Sequence, residues 1–286
     1  MKARFGPAGN PEAFYEAGKK ASLEMPEWLN GQGLTAYEYQ CSRGANIKEE
    51  TARAIGEKAA AYGVKLSVHA PYYISLGTED ATIAANTEEH LLKSLTVANW
   101  LGADRVVFHI GGVGGKGKNR GDALARAKRR LAEILRKAED QNLNTALLAP
   151  ETMGKQNQLG NLEEVLEFCQ LADWLIPAVD FGHLHALTGG GYIFEAEYEA
   201  AFDKIVAALG KEKAANLHVH FSRLEFTQAG EKKHVTFADD GYGPPYEPFL
   251  KTVAQSGYAP RVICDSAGPQ AKDAKIMQDF YLSLVN

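Results

Sequence analysis

Short apolar or β-rich runs alternate along this chain with longer segments whose apolar positions recur every three to four residues. The runs fall at 2–5, 34–39, 64–69, 105–109, 144–148, 175–179, 216–220 and 261–264, which predicts eight strands. The intervening and final segments, 11–21, 48–62, 83–101, 120–138, 162–172, 195–209, 247–256 and 272–284, have the spacing and composition of helices. Single glycines mark helix-to-strand turns, as in Tyr62-Gly63-Val64 and Leu101-Gly102-Ala103. Eight such repeats in 286 residues have the rhythm of the α/β class, and specifically of a (β/α)8 TIM barrel in which residues 1–286 form a single domain. An open doubly wound sheet is the competing arrangement. Its dinucleotide fingerprint is missing, because Gly111-Gly112-Val113-Gly114-Gly115 has the wrong spacing and no suitable acid follows.

Composition narrows the class. With 45% hydrophobic and 23% charged residues, the chain is neither disordered nor fibrous and can bury a sizeable core. A net charge of −5 argues against a broad polyanion-binding surface, although a local cleft can still be positive. No apolar run approaches the roughly eighteen residues of a membrane helix. The opening Met1-Lys2-Ala3-Arg4-Phe5-Gly6 leads into no signal-like apolar segment. The expectation is a cytoplasmic protein that makes no use of a membrane. Cys41, Cys169 and Cys264 are few and far apart, so neither a disulfide framework nor a cysteine-rich metal knuckle is encoded. Any metal must be held by nitrogen and oxygen.

The chemistry lies in where polar residues fall relative to the strands. His69, His109, Glu151, Asp180, His218 and Asp265 stand at or near the C-terminal ends of six consecutive predicted strands. In a barrel those ends converge on one mouth, where catalytic groups are placed. Each residue alone reads as a structural histidine or a helix-capping acid; six in series point to a shared polar site. Clustered carboxylates repel one another and take up protons unless divalent cations neutralise them, and such cations accept neutral imidazoles as partners. Mixed nitrogen and oxygen ligands suit Zn2+, Mn2+ or iron better than calcium, and the number of candidates suits two or three ions.

Asp180-Phe181-Gly182-His183-Leu184-His185 is the densest ligand segment, with His185 a third ligand or an outer donor. His220 follows His218 by two residues, so both share one face of a strand. His234 falls in a long loop after the seventh strand, and His90 reads as a helix-packing residue. Lys116, Lys118 and Arg120 are candidate phosphate contacts, and Tyr72 and Tyr73 are candidate stacking surfaces. No serine elbow or cysteine nucleophile has its expected context, which leaves water as the economical nucleophile.

Taken together, several passages resemble the endonuclease IV family of abasic-site DNA repair nucleases. They are Ser67-Val68-His69-Ala70-Pro71-Tyr72-Tyr73-Ile74-Ser75-Leu76, Val107-Phe108-His109-Ile110-Gly111, Pro150-Glu151-Thr152-Met153-Gly154 with Gln158-Leu159-Gly160, Val179-Asp180-Phe181-Gly182-His183, and Leu217-His218. The resemblance implies a (β/α)8 barrel with three zinc ions. His69, His109 and Glu151 match ligands of the first ion, and Glu151 would bridge to a second held by Asp180, His218 and Asp265. His183 and His234 match ligands of a third. Tyr72 matches an aromatic that meets DNA at the abasic nucleotide, and Arg43 is a candidate counterpart of an arginine inserted into the duplex. Two positions depart from the family pattern: Lys232 stands where it has aspartate, with Glu231 beside it, and Asp265 where it has glutamate. His185, His220 and Glu231 are therefore additional metal-ligand candidates.

The resemblance implies metal-dependent hydrolysis of double-stranded DNA on the 5′ side of an abasic site, leaving a 3′-hydroxyl and a 5′-deoxyribose phosphate. Glu151, Asp180 and Asp265 are the catalytic carboxylates of that reading, acting mainly by assembling the metal site. A divalent-metal-dependent sugar isomerase or epimerase is the second reading, and a metal-stabilised non-enzymatic scaffold the third.

Overall fold

A computed structural model describes residues 2–114 and 118–285. Its strands are β1 (Arg4–Pro7), β2 (Ala36–Gln40), β3 (Lys65–His69), β4 (Arg105–Phe108), β5 (Leu147–Pro150), β6 (Ala178–Asp180), β7 (His218–Phe221), β8 (Arg223–Thr227), β9 (Gly230–Val235) and β10 (Arg261–Cys264). Parallel pairing runs β2-β3-β4-β5 in one arc and β1-β10-β7-β6 in the other. Parallel bridges Ala8–Glu38 and Glu151–Ala178 join the arcs at their two seams. The seams are held by Gly9 N–H donating to Glu38 O at 2.9 Å and Thr152 N–H donating to Ala178 O at 3.0 Å. Eight parallel strands thus close into a (β/α)8 barrel, as the repeat pattern predicted.

The helices are α1 (Glu12–Glu16), α2 (Met25–Gly31), α3 (Glu49–Ala61), α4 (Ala81–Leu101), α5 (Arg120–Asp140), α6 (Leu162–Cys169), α7 (Phe181–Leu187), α8 (Glu195–Leu209), α9 (Lys211–Ala215), α10 (Tyr246–Ser256) and α11 (Gln270–Val285). Local chemistry sets their ends. Asp80 Oδ1 accepts from the backbone of Thr82 and Ile83 at 2.8 and 3.0 Å, capping α4, which stops at Gly102 with φ +61°. The helix expected at 11–21 is cut short, because Gly18 turns left-handed at φ +77°, and a separate α2 follows. One buried apolar cluster includes Phe5, Phe108, Phe181, Phe221 and Tyr281, joining barrel strands to the surrounding helices.

At the N-terminal end of the barrel, Arg105 donates to Leu217 O at 2.9 Å and Asn216 Oδ1 at 2.7 Å. Arg261 forks onto Asp104 at 2.6 and 2.8 Å and also donates to Leu66 O. These two buried arginines tie strands across the end opposite the mouth. Among the described residues, no helix is long and apolar enough to cross a membrane.

Among the elements outside the predicted segments, two carry residues of the mouth. The antiparallel β8–β9 hairpin lacks an apolar run, and its charged residues read as a loop. Helix α7 starts directly on the last residue of β6, where Asp180 Oδ1 accepts from His183 N–H at 2.8 Å as its N-cap. Both bring additional ligands to the mouth.

Candidate metal centre

Glu151, immediately after β5, lies in the middle of the mouth and is buried. Its Oε2 is 3.1 Å from Nε2 of both His69 and His109. Its Oε1 is 3.0 Å from Nδ1 of His220 and 3.5 Å from Nδ1 of His183. One carboxylate therefore presents its two oxygens to two different sets of imidazoles, the geometry of a bridge. His69 directs Nδ1 to Ala70 O at 2.8 Å and His183 directs Nδ1 to Thr152 O at 2.8 Å. Donation from those nitrogens leaves each Nε2 lone pair for an ion, the arrangement that orients metal-binding histidines.

Around Glu151 the prospective ligand atoms fall into adjoining groups, each within 4.8 Å: His69, Glu151 and His220; Glu151, Asp180 and His183; Asp180, His220 and Asp265; and His183, Glu231 and His234. Asp265 Oδ1 is a buried atom with no hydrogen-bond partner, and Asp180 Oδ2, likewise without a hydrogen bond, has His183 Nδ1 at 3.2 Å beside it. Unpaired buried carboxylate oxygens are costly, and a cation answers that cost. The mouth is thus a metal-coordinating cluster of His, Glu and Asp, placed where metal-dependent barrel enzymes hold their chemistry.

The electrostatics agree with that description. Burial acts to raise the Glu151 carboxyl, but the His220 and His109 imidazoles outweigh it and hold the group well below the usual carboxylate range. Burial, joined by the nearby Asp265 and Glu151 and opposed by His183, pushes Asp180 up to about 6. For His183, burial is overcome by Asp180, Glu151 and Glu231, which push the imidazole up to about 9. Protons here do the work that divalent ions do in a loaded centre.

The strand register separates His218 from His220. On β6, Ala178 is level with His218 and Asp180 with His220. His220 consequently shares the mouth layer with Asp180 and Asp265, where the sequence resemblance had put His218. His218 sits one layer deeper, with Nε2 3.0 Å from Glu38 Oε2. Burial pushes His218 down to about 3, against the pull of Glu38, so it is neutral.

Glu231 enters the cluster, its carboxylate 3.4 Å from His183 Nε2 and 3.8 Å from His234 Nε2. Lys232 points away and pairs with Glu225. His185 also points elsewhere: its Nδ1 accepts from Tyr192 N–H at 3.3 Å, and its ring packs edge-on against Phe226. Tyr72 stands on the rim, 54% exposed, with its ring centroid 5.5 Å from His69 and 5.3 Å from His109. Arg43 is exposed in the segment after β2. Tyr73 packs against His90 at 6.1 Å, Lys118 pairs with Glu79, and Arg120 forks onto Glu164. Lys116 lies outside the described residues.

Glu38 was missed. It is a fully buried acid on β2, in contact with both β7 histidines. A lone carboxylate between Tyr37 and Tyr39 in an otherwise apolar strand was the available signal.

Comparison with known proteins fits the fold. This chain is 30% identical over 264 residues to an uncharacterized protein of Methanocaldococcus jannaschii, covering 92% of this chain and 91% of that protein. It is 26% identical over 229 residues to a protein of Nitratidesulfovibrio vulgaris named probable endonuclease 4, covering 74% and 79%. Among solved structures, a D-tagatose 3-epimerase-like protein matches with TM-score 0.70 at 20% identity, covering 99% of this chain and 98% of that one. Endonuclease IV from Thermus thermophilus matches with TM-score 0.67 at 20% identity, covering 98% and 99%. At these identities the structural matches speak for the fold alone. A family model described as the xylose isomerase-like TIM barrel matches residues 27–282, and the chain belongs to that family.

Proposed function

We propose that residues 1–286 form one catalytic domain that hydrolyses a phosphodiester of double-stranded DNA on the 5′ side of an abasic site, using two or three Zn2+ or Mn2+ ions. The observation that carries this reading is the set of adjoining ligand groups around Glu151, two of which contain it, more than one ion requires. His69, His109 and Glu151 would hold one ion, Glu151, Asp180, His220 and Asp265 a second, and His183, Glu231 and His234 a third. Ions held there would make water a nucleophile available near neutral pH and would neutralise charge on phosphate oxygens.

The chain's own groups hold and orient. Glu151 serves two neighbouring groups with one carboxylate, and Asp180 and Asp265 complete the acidic side of the mouth. Tyr72 offers a half-exposed ring beside His69 and His109 to stack on the substrate, and Arg43 reaches the duplex from the exposed segment after β2. An abasic position favours extrusion because stacking and pairing are already reduced.

A second reading, a metal-dependent sugar isomerase or epimerase, has more of the solved structures that share the fold on its side and draws also on the charge and size of the mouth. The cavity of about 520 Å³ is lined by Glu151, Glu231 and Asp265 and, besides its imidazoles, by a single lysine, Lys155, and no arginine among the described residues. Several solved structures that share the fold are named as sugar epimerases. Holding a single divalent ion, the carboxylates Glu151, Asp180, Glu231 and Asp265 would keep a negative surplus suited to a neutral polyol. Holding three, they would present a positive surplus suited to phosphate. Metal stoichiometry and product analysis separate the readings. Incision of a duplex with one stable abasic analogue, leaving a 3′-hydroxyl, together with two or three ions per chain, supports the nuclease. Absence of incision by protein that binds one ion and interconverts ketose epimers overturns it in favour of the second reading.

A further inference from the structure

Glu38 lies beneath the mouth, sealed from solvent on β2. Its Oε1 accepts from Gln40 Nε2 at 3.1 Å and is 3.0 Å from His220 Nε2. Its Oε2 accepts from Ser67 Oγ at 3.0 Å and is 3.0 Å from His218 Nε2. Hydrogen bonds from Gln40 on β2 and Ser67 on β3 hold the carboxylate in place, and the Nε2 atoms of His218 and His220 on β7, which have no hydrogen-bond partner, face its two oxygens at 3.0 Å.

The His220 ring lies between two acids. Glu38 meets Nε2 from below, while Glu151 Oε1 lies 3.0 Å from Nδ1 on the side of the mouth. An imidazole that binds an ion through one nitrogen carries its proton on the other, and a carboxylate beside that second nitrogen fixes both proton and ring. Glu38, His218 and His220 offer ligand atoms within 4.8 Å of one another, but Glu38 does not line the cavity and its two oxygens accept from Gln40 and Ser67.

We propose that Glu38 is a positioning residue: it holds the proton of His220 on Nε2 and the ring oriented so that Nδ1 is the atom offered to an ion beside Glu151. The proposal rests on the metal-centre reading above. It also gives the two β7 histidines different tasks, with His220 meeting the ion and His218 helping to hold Glu38.

Cobalt(II) is the probe, because both its affinity and its visible absorption report ligand geometry. Glu38→Gln, His220→Asn and the double variant are compared with wild type, with folding followed by circular dichroism. Glu38→Gln is expected to weaken the binding of one cobalt ion by about 10–100-fold and to shift its absorption. On the His220→Asn background the same change is expected to have no further effect on affinity, since Glu38 acts through that ring. Full additivity, or wild-type cobalt binding and absorption in Glu38→Gln, overturns the proposal while leaving the metal centre intact. Failure of wild type to bind cobalt overturns the centre as well. A test that does not depend on a variant's folding is long-range proton–nitrogen NMR of the zinc-loaded wild type. A proton on Nε2 of His220 is expected, and a proton on Nδ1 overturns the assignment.

Discussion

Glu231 and His234 are three residues apart on β9 and face the same way. Regular strands alternate their side chains, so residues three apart point to opposite faces. Here His234 is opposite Leu224, Lys233 opposite Glu225, and Glu231 opposite Phe226, which leaves Lys232 as the extra residue of a bulge. The bulge returns Glu231 to the His234 face and sends Lys232 outward. An acid thus reaches the cluster from the position next to the one at which the family pattern expects it.

The bulge makes the side chain of Lys232 dispensable and Lys232 itself an insertion in an otherwise regular pairing. Lys232→Ala is expected to leave metal content unchanged and to alter stability by less than about 0.5 kcal/mol, as for an exposed substitution. Deletion of Lys232 is expected to leave Glu231 two residues before His234 in a regular strand, on the same face, and so to keep metal content unchanged, whereas Glu231→Ala is expected to lower it by one ion per chain. Elemental analysis of these proteins after dialysis checks this, and metal loss on deletion of Lys232 would remove the bulge from the account.

Gly230 carries the hairpin to the barrel. It has φ +100°, and an added Cβ would come within 2.1 Å of Gly154 O. Glu231 N–H donates to that same oxygen at 2.9 Å. Gly230→Ala is expected to cost at least about 1–3 kcal/mol from backbone strain alone and to loosen the third ligand group. Thermal unfolding with and without zinc measures it, and a smaller stabilisation by zinc in the variant is the expected result.

Glu151→Gln keeps the shape and removes the charge that serves four imidazoles. Bound metal is expected to fall by at least one ion per chain, with a large loss of DNA incision. Unchanged metal content and incision would refute the bridging role. His90→Ala, beyond the rim against Tyr73, is expected to leave both nearly intact.

Metal uptake should rise with pH. In the metal-free protein His183 keeps its proton up to about 9, and a binding ion must displace it. Zinc affinity is therefore expected to increase from pH 6 towards 9, by up to about tenfold per pH unit for this proton, and then to level off. The linkage sign for folding is the reverse. A folded pKa raised above the ordinary histidine value stabilises the metal-free protein below that value, and the contribution is lost as pH rises through about 9. Calorimetric zinc titrations in buffers of different ionisation enthalpy count the released proton, and a flat pH profile would contradict the assignment.

The sequence by itself determined the barrel and most of its mouth. Strand and helix periodicities are local, and a residue at the end of a predicted strand faces the mouth once eight strands close. His69, His109, Glu151, Asp180 and Asp265 were therefore legible as a set. Relations between strands were decided only in three dimensions. Whether His218 or His220 stands level with Asp180 depends on the β6–β7 register, which spacing within β7 does not encode. Glu231 reaches the cluster through a bulge whose partner strand, β8, is needed to define it. Glu38, an isolated acid in β2, acquires its neighbours from β3 and β7 when the barrel brings them together. Local patterns specify elements and their polarity, whereas register, bulges and contacts across the barrel arise from packing between segments distant in the chain.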